Sequence, residues 1–344
     1  MQSGRRPGSG TIVRKINLIV PFYDERQALP RLLAEIGELA SRLKSRSIQI
    51  EAILVDDGSQ DRGAQAVCDW LAARGATFDV RLLRLSRNFG KELALSAGLA
   101  AADGDAVVMM DADLQHPVAL IDTFADAWID EGYDVVYAHR EQPPAEGLVK
   151  RLIRSSFYKL LSASSDTAVD PWAGDFRLMS RRAYEALRRF PERERLMKGL
   201  YGLIGFPTKA VPYSPPERRD GVSKFSTLKL WAMGLNGVTA FSVLPLRLTT
   251  IMGIVLGLLA LGYGVWTIVE KMVFGIHVPG YPTLIVLISG VGAAQLIGMG
   301  IVGEYLGKVL VEVKRRPLYI LESEQTFAAT VVPFSATEEF SRSA

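Results

Sequence analysis

Short apolar segments alternate with longer amphipathic segments over the first 215 residues of the chain. Apolar runs rich in β-branched residues are typical of buried strands, and apolar residues at helical spacing are typical of helices that cover a sheet. The pattern predicts strands at residues 16–20, 50–55, 80–85, 106–110 and 135–138, and helices at residues 29–43, 62–73, 91–102 and 118–130. Such alternation predicts an α/β domain with a mostly parallel sheet and helices on both faces.

Two later segments contain no charged side chain, namely residues 248–269 and residues 283–303. At 1.5 Å per residue, each helix would reach roughly the 30 Å thickness of a bilayer core. Two buried helices of a soluble core would also be apolar, but two uncharged runs of this length favour membrane spans. They also explain the mean hydropathy of +0.16.

The charges beside these segments indicate their orientation. Arg247 precedes the first segment, and four cations follow the second, namely Lys308, Lys314, Arg315 and Arg316. The connecting loop offers only Lys271 beside Glu270. Because cytoplasmic flanks are enriched in Lys and Arg, both ends are predicted to be cytoplasmic. The net charge of +3 gives no reason to expect nucleic acid binding, and the single cysteine, Cys68, excludes an internal disulfide.

The composition divides the chain into five parts. These are a basic, disordered tail (1–14), a cytoplasmic α/β domain (15–215), a loop with interfacial amphipathic helices (216–247), two membrane helices (248–303) and a cytoplasmic C-terminal tail (304–344). The third part is too polar to span a membrane, and its apolar residues are spaced for a helix lying in the interface. An ordinary surface helix is the alternative.

An acidic segment, Asp111-Ala-Asp113-Leu-Gln115, follows the apolar run 106–110. Open α/β sheets bind ligands at the carboxyl ends of their strands. Carboxylate and amide oxygens suit a hard cation such as Mg²⁺ or Mn²⁺, which typically leaves positions for substrate phosphates. The segment therefore predicts a metal–phosphate site.

Other strand ends carry further candidates at the same edge of the sheet. Asp56 and Asp57 could accept hydrogen bonds from a base or a ribose, although capping of the next helix is an alternative for this turn. Lys91 begins a helix, where a cation is poorly placed for the macrodipole, which hints at an anionic ligand. The chain has no G-x-G-x-x-G after its first strand, and Gly90-Lys91 lacks the upstream glycine of a P-loop.

Cations near the later strands could bind a phosphate. Arg140 and Arg151 are one such group, and Arg218, Ser223 and Lys224 lie just before the interfacial segment. Asp175 stands beside a glycine ahead of another apolar run. The alternative for these residues is solvated charge and local turn chemistry.

Seven motifs, taken in order, resemble family-two glycosyltransferases of the polyprenyl-phosphate sugar synthase type, related to dolichyl-phosphate mannose synthase. Within that group the chain is most similar to bactoprenol glucosyltransferases with two C-terminal spans. The motifs are PFYDE (21–25), DDGS (56–59), SRNFGK (86–91), DADLQ (111–115), GDFRL (174–178), residues 218–225 and GEYLG (303–307). The resemblance covers residues 16–319 and implies a GT-A-like fold.

The resemblance implies a role for each candidate. Asp113 and Gln115 would bind Mg²⁺ or Mn²⁺, and Asp113 and Asp175 would carry the transfer step. The nucleotide-sugar would contact Pro21, Tyr23, Glu25, Asp56, Asp57, Lys91 and Asp111, and the acceptor phosphate would contact Arg140, Arg151, Arg218, Ser223 and Lys224.

The expected function is metal-dependent, inverting transfer of one hexose from UDP-glucose to a membrane-bound polyprenyl phosphate at the cytoplasmic face, by a homo-oligomer such as a tetramer. Donors such as GDP-mannose, UDP-galactose or a UDP-N-acetylhexosamine remain alternatives. A processive polysaccharide synthase is disfavoured because neither Trp172 nor Trp231 follows an arginine, as the Gln-x-x-Arg-Trp motif requires, and because only two spans are predicted. A non-catalytic membrane scaffold is disfavoured by the intact acidic motifs.

Overall fold

The computed structural model describes residues 13–141, 173–193, 195, 197–214, 244–275 and 280–329. The predicted acceptor-phosphate residues Arg151, Arg218, Ser223 and Lys224 lie outside these ranges, as do residues 216–243 of the predicted interfacial segment.

The described residues form one eight-stranded sheet. Its strands are β1 (Arg14–Phe22), β2 (Ile48–Asp56), β3 (Asp79–Leu85), β4 (Ala106–Met109), β5 (Val135–Arg140), β6 (Ala173–Ser180), β7 (Thr208–Tyr213) and β8 (Leu321–Phe327). Their order is β7-β5-β6-β4-β1-β2-β3-β8. Four of the seven neighbouring pairs are parallel, and the two pairs of β6 and the β3–β8 pair are antiparallel. The predicted mostly parallel sheet is confirmed.

Helices cover both faces of the sheet. They are α1 (Leu29–Lys44), α2 (Gly63–Arg74), α3 (Lys91–Ala101), α4 (Leu120–Ile129), α5 (Arg181–Arg188) and α6 (Met197–Leu203). Successive strand residues point to opposite faces, so Leu18 packs with α1, α2 and α4 in one core, whereas Ile19 packs with α3, α5 and α6 in the other. Burial on both faces explains why the central strands read as continuous apolar runs.

The last strand was not predicted from the sequence. β8 pairs with β3 inside the region assigned to a C-terminal tail. Its sequence, LESEQTF, carries charged residues and is exposed at every position except the half-buried Phe327. An edge strand exposed on both faces shows little hydrophobic periodicity, and its backbone pairing appears only in the fold.

Two long helices complete the described chain, α7 (Leu244–Phe274, 31 residues) and α8 (Tyr281–Val313, 33 residues). Both are long and apolar enough to cross a membrane, and their most apolar 18-residue windows are not buried inside the protein. Each extends beyond its predicted uncharged run, because a helix can continue through flanking charged residues.

Candidate functional site

A cavity of about 330 Å³ lies where β1, β2 and β4 end. Parallel strands bring their carboxyl ends to one edge of the sheet, which explains why motifs far apart in sequence meet there. The cavity is lined by Pro21, Phe22, Tyr23, Glu25, Asp57, Asn88, Gly90, Lys91, Ala94, Asp111, Ala112 and Asp113. Seven of the predicted donor and metal residues are therefore brought together, and the loop after β3 adds Asn88.

Asp57 joins the turn after β2 to the loop after β3. Its carboxylate accepts hydrogen bonds from the backbone N–H of Phe89 (2.7 Å) and of Gly90 (2.9 Å). Gly58 has a φ of +71°, and a Cβ there would lie 2.4 Å from the backbone carbon of Arg87. This close approach requires glycine, because any side chain would force the two loops apart.

Asp56 lies beneath this turn rather than in the cavity. The residue is 1% exposed, and its Oδ1 accepts a hydrogen bond from the backbone N–H of Ser59 at 2.8 Å. Burial raises the pKa of Asp56, while the hydrogen bonds with Ser59 and the charge of Arg84 oppose that shift. Among the described residues, Asp56 thus makes a hydrogen bond within the turn and does not cap α2, whose N-cap residue is Arg62 with no side-chain cap. Contact of Asp56 with a nucleotide base stays a prediction.

Lys91 lies between two carboxylates. Its Nζ is 2.6 Å from Asp111 Oδ1 and 2.6 Å from Asp175 Oδ2. Burial alone would lower the pKa of Lys91, but the charges of Asp175 and Asp111 outweigh burial and raise it. Burial would likewise raise the pKa of Asp111, yet His116 and Lys91 lower it to about 2. The negative charges of Asp111 and Asp175 thus offset the unfavourable interaction of the Lys91 cation with the N-terminal end of the α3 dipole.

Asp175 lies on β6, behind Lys91. Its side chain is 10% exposed, and among the described residues it does not line the cavity. The Oδ1 atom is buried and has no hydrogen-bond partner within the described part of the chain. The antiparallel pairing of β6 with β4 sets Asp175 close to the acidic segment.

Glu92 is a half-buried acid that the sequence analysis did not single out. Its Oε2 accepts a hydrogen bond from the backbone N–H of Met197 at 3.0 Å, at the start of α6. Burial and the charge of Asp175 raise the pKa of Glu92 to about 7, against the opposing effects of the Met197 N–H and of Lys91 and Lys198. A glutamate in the first turn of a helix is common, and only the packing of α6 reveals its setting.

His116 is a second residue without an assigned role in the sequence analysis. Its ring lies 4.8 Å from the ring of Phe176, and its Nε2 is 3.7 Å from Asp111 Oδ2. The Tyr213 hydroxyl lies 3.4 Å from His116 Nδ1. The only signal for His116 in the sequence was its position directly after the acidic segment. Packing against Phe176 and Tyr213 places the His116 ring beside Asp111.

The acidic cavity fits a divalent cation. Asp113 is exposed at the cavity, with Oδ1 accepting a hydrogen bond from the Gln115 backbone N–H at 3.1 Å, and Leu114 between them has a φ of +58°. Burial raises the pKa of Glu25, and the like charge of Asp113 raises it further. The two carboxylates therefore repel each other, and a bound cation would reduce that repulsion. No three His, Cys, Asp or Glu residues form a metal cluster in the described ranges. Mg²⁺ is commonly held by one or two carboxylates plus substrate phosphates, so this donor set suffices.

Arg140, at the end of β5, is the one predicted acceptor residue that the structure describes. It pairs in register with Tyr213 of β7. Its Nε is buried and has no hydrogen-bond partner among the described residues.

Comparison with known proteins adds three findings. Residues 17–188 match the model for glycosyl transferase family 2. The chain is 40% identical over 307 residues to an uncharacterized glycosyltransferase of Synechocystis, covering 89% of this chain and 94% of that protein. It is also 40% identical over 311 residues to the bactoprenol glucosyl transferase of Shigella phage SfV, covering 90% of this chain and 99% of that protein.

Among solved structures, the chain is similar to glucosyl-3-phosphoglycerate synthase of Mycobacterium tuberculosis in complex with Mn²⁺, UDP-glucose and phosphoglyceric acid. The similarity covers 68% of this chain and 83% of that one, at 20% identity and a TM-score of 0.45.

Proposed function

The chain belongs to glycosyl transferase family 2 and is a glycosyltransferase, and we propose that it transfers one hexose from UDP-glucose to a polyprenyl phosphate. The observation that carries the proposal is the 40% identity to a bactoprenol glucosyl transferase over 90% of this chain and 99% of that protein. A match over 90% of this chain extends well beyond the 172 residues (17–188) of the family match, so it supports a lipid acceptor as well as a sugar donor.

The donor half of the proposal rests on the acidic cavity. A divalent cation held by Asp113 and Gln115 would neutralise charge developing on the leaving nucleoside diphosphate. Lys91 lines the same cavity and supplies a positive charge of the protein's own. Pro21, Tyr23 and Glu25 line the cavity too, and Asp57 fixes the turn beside it through the backbone N–H groups of Phe89 and Gly90. The polar groups of this lining support binding of a nucleotide-sugar.

The acceptor half needs cations rather than a strong base. A phosphate monoester is largely ionised at neutral pH, because its second pKa is about 6. Its oxygen can attack the anomeric carbon once Arg140, Arg151, Arg218, Ser223 and Lys224 have brought two anions together. A single displacement inverts the anomeric configuration, so the product is a β-linked hexosyl phosphate lipid.

The two apolar helices would anchor this reaction at a membrane. With α7 and α8 as spans, the excess of Lys and Arg beside them favours a catalytic domain and two termini on the cytoplasmic side of the bacterial membrane. Gly253 and Gly257 on α7 would allow close helix contacts within a homo-oligomer.

The test is transfer by the purified full-length protein in detergent or liposomes. The protein is incubated with a polyprenyl phosphate, Mg²⁺ or Mn²⁺, and a panel of UDP- and GDP-sugars, and lipid-linked hexose is measured by mass spectrometry. We expect turnover with UDP-glucose that EDTA abolishes. Turnover with another donor alone would replace glucose in the proposal, and no turnover with any donor would overturn it.

A further inference from the structure

We propose that Asp175 acts through Lys91 as a positioning residue, and that the Lys91 ammonium is the group that contacts the donor's diphosphate. This proposal rests on the proposed function and deepens it, because it assigns diphosphate contact to Lys91 and orientation of Lys91 to Asp175.

The first support is the order of the three side chains. Lys91 and Asp111 line the cavity, whereas Asp175 is absent from its lining among the described residues. The Lys91 side chain is 42% exposed and the Asp175 side chain is 10% exposed. A ligand that enters the cavity therefore meets the lysine first, and the ammonium stands between the ligand and Asp175.

The second support is the geometry of the ammonium group. Nζ lies 2.6 Å from one oxygen of Asp111 and 2.6 Å from one oxygen of Asp175. A lysine ammonium has three donors and no fixed fork, so its long side chain needs partners to keep one direction. Two carboxylates occupy two donors and leave the third for a ligand in the cavity.

The third support is the rigidity of the elements that carry the pair. Lys91 is the first residue of α3, and α3 is pressed against β1 at Gly98, where a Cβ would lie 2.3 Å from Ile19 Cγ2. Asp175 sits on β6, which is paired on both sides, with β4 and with β5. The ion pair joins two rigid elements, so the position of the ammonium varies only with the rotation of the lysine side chain.

The charges of the three side chains are compatible with a positioning role for Asp175. Lys91 neutralises one carboxylate, so the pair Lys91 and Asp111 alone would carry no net charge, and Asp175 makes the trio an anion. The donor's diphosphate would then meet an ammonium that Asp111 and Asp175 hold in place. Asp175 remains as the partner that keeps Lys91 oriented.

A double-mutant cycle tests the proposal. The variants are Lys91→Met, Asp175→Asn and the two together, with Lys209→Met as the matched control, because Lys209, on β7, pairs with Glu131 away from the cavity. Three quantities are measured on the full-length protein: the dissociation constant of UDP with Mg²⁺ by calorimetry, kcat and KM for UDP-glucose with saturating polyprenyl phosphate, and the KM for polyprenyl phosphate with saturating UDP-glucose.

We expect Lys91→Met to weaken UDP binding by about tenfold to a hundredfold, the effect of losing a charged hydrogen bond. Asp175→Asn should weaken it by a smaller factor, and the double variant should match Lys91→Met within about twofold, because Asp175 has nothing left to position. The KM for polyprenyl phosphate should stay unchanged in every variant. Lys209→Met should behave as the unmodified protein.

Thermal unfolding supplies a readout apart from ligand binding. Lys91→Met leaves Asp111 and Asp175 without their shared cation, so its melting temperature should fall, and adding Asp175→Asn should raise it again. Independent factors that multiply in the double variant would overturn the proposal, because Asp175 would then affect binding of the nucleoside diphosphate without Lys91. The binding arm uses UDP, or GDP if only a GDP-sugar supports transfer, so failure of the proposed function is seen separately, as absent turnover in the unmodified protein.

Discussion

Glu92→Gln should make the protein more stable at neutral and alkaline pH, and the gain should vanish in acid. The Glu92 carboxyl is held beneath the site by the backbone N–H of Met197, and it faces Asp175, Lys91, Lys198 and Tyr201. Glutamine keeps a carbonyl oxygen for that N–H and removes the charge, so the substitution isolates the cost of ionising a carboxyl in this setting.

The size of the effect follows from the pKa of Glu92. Burial and the charge of Asp175 raise that pKa from 4.5 to about 7. Below pH 4.5 the carboxyl is protonated in both the folded and the unfolded state, so it has no effect on the pH dependence. Between pH 4.5 and 7 the folded state holds a proton that the unfolded state has released, so the folded state loses stability as the pH rises. One pKa unit corresponds to about 1.4 kcal/mol, which puts the full penalty at no more than about 3 kcal/mol.

The assay is thermal unfolding of the full-length protein in detergent, followed by tryptophan fluorescence from pH 4.5 to 8. For a domain of this size, a change of 1 kcal/mol moves the melting temperature by about 2–4 °C. The difference between Glu92→Gln and the unmodified protein should therefore grow by about 6–12 °C across this range. Glu38→Gln, on the exposed face of α1, is the control and should show no such growth. A pH-independent difference, or a variant that becomes less stable as the pH rises, would refute the reasoning.

Four further predictions concern the site and the membrane segment. Asp113→Asn should abolish transfer without lowering the melting temperature, because Asp113 is exposed and would bind the cation; full activity in that variant, or activity that survives EDTA, would contradict the metal role. Gly58→Ala should cost both stability and UDP affinity, since its Cβ would lie 2.4 Å from backbone, and unchanged affinity would show that the two loops can separate freely. Arg218→Ala should raise the KM for polyprenyl phosphate about tenfold to a hundredfold while UDP binding stays normal, and the reverse pattern would assign Arg218 to the donor. A cysteine introduced at Val278 in a Cys68→Ser background should react with an impermeant reagent from outside the cell, and labelling only from the cytoplasmic side would contradict the proposed topology.

Much of the fold was predicted from local patterns. The five strands predicted in the first 140 residues and the four helices between them are all present, with bounds that differ by a few residues. Periodicity succeeds there because each element buries one or both faces, and burial imposes the apolar spacing. The resemblance to the glycosyltransferase family is confirmed, since several short motifs in a fixed order identify a family better than any one of them.

The structure added the elements whose sequences carry weak patterns. The only sign of β6 in the sequence was a glycine beside Asp175 ahead of an apolar run. Its antiparallel direction depends on pairing with β4 and β5. β8 returns from the end of α8 to the edge of the catalytic sheet, where the backbone N–H of Ser86 donates to Ile320 O at 3.0 Å. Such contacts depend on residues far apart in the chain, which no local window contains.

Local patterns in the sequence were enough to predict the fold class, the two apolar helices and the acidic segments at one edge of the sheet, because burial imposes a regular spacing of apolar residues. The contacts of each charged side chain became clear from the folded chain alone. Asp56 and Asp57 are neighbours in sequence, yet one is buried under a turn and the other lines the cavity, since successive residues at a strand end point in different directions. Lys91 and Asp175 are 84 positions apart, yet their charged groups meet at 2.6 Å, because the pairing of β6 with β4 brings Asp175 to the place where α3 begins.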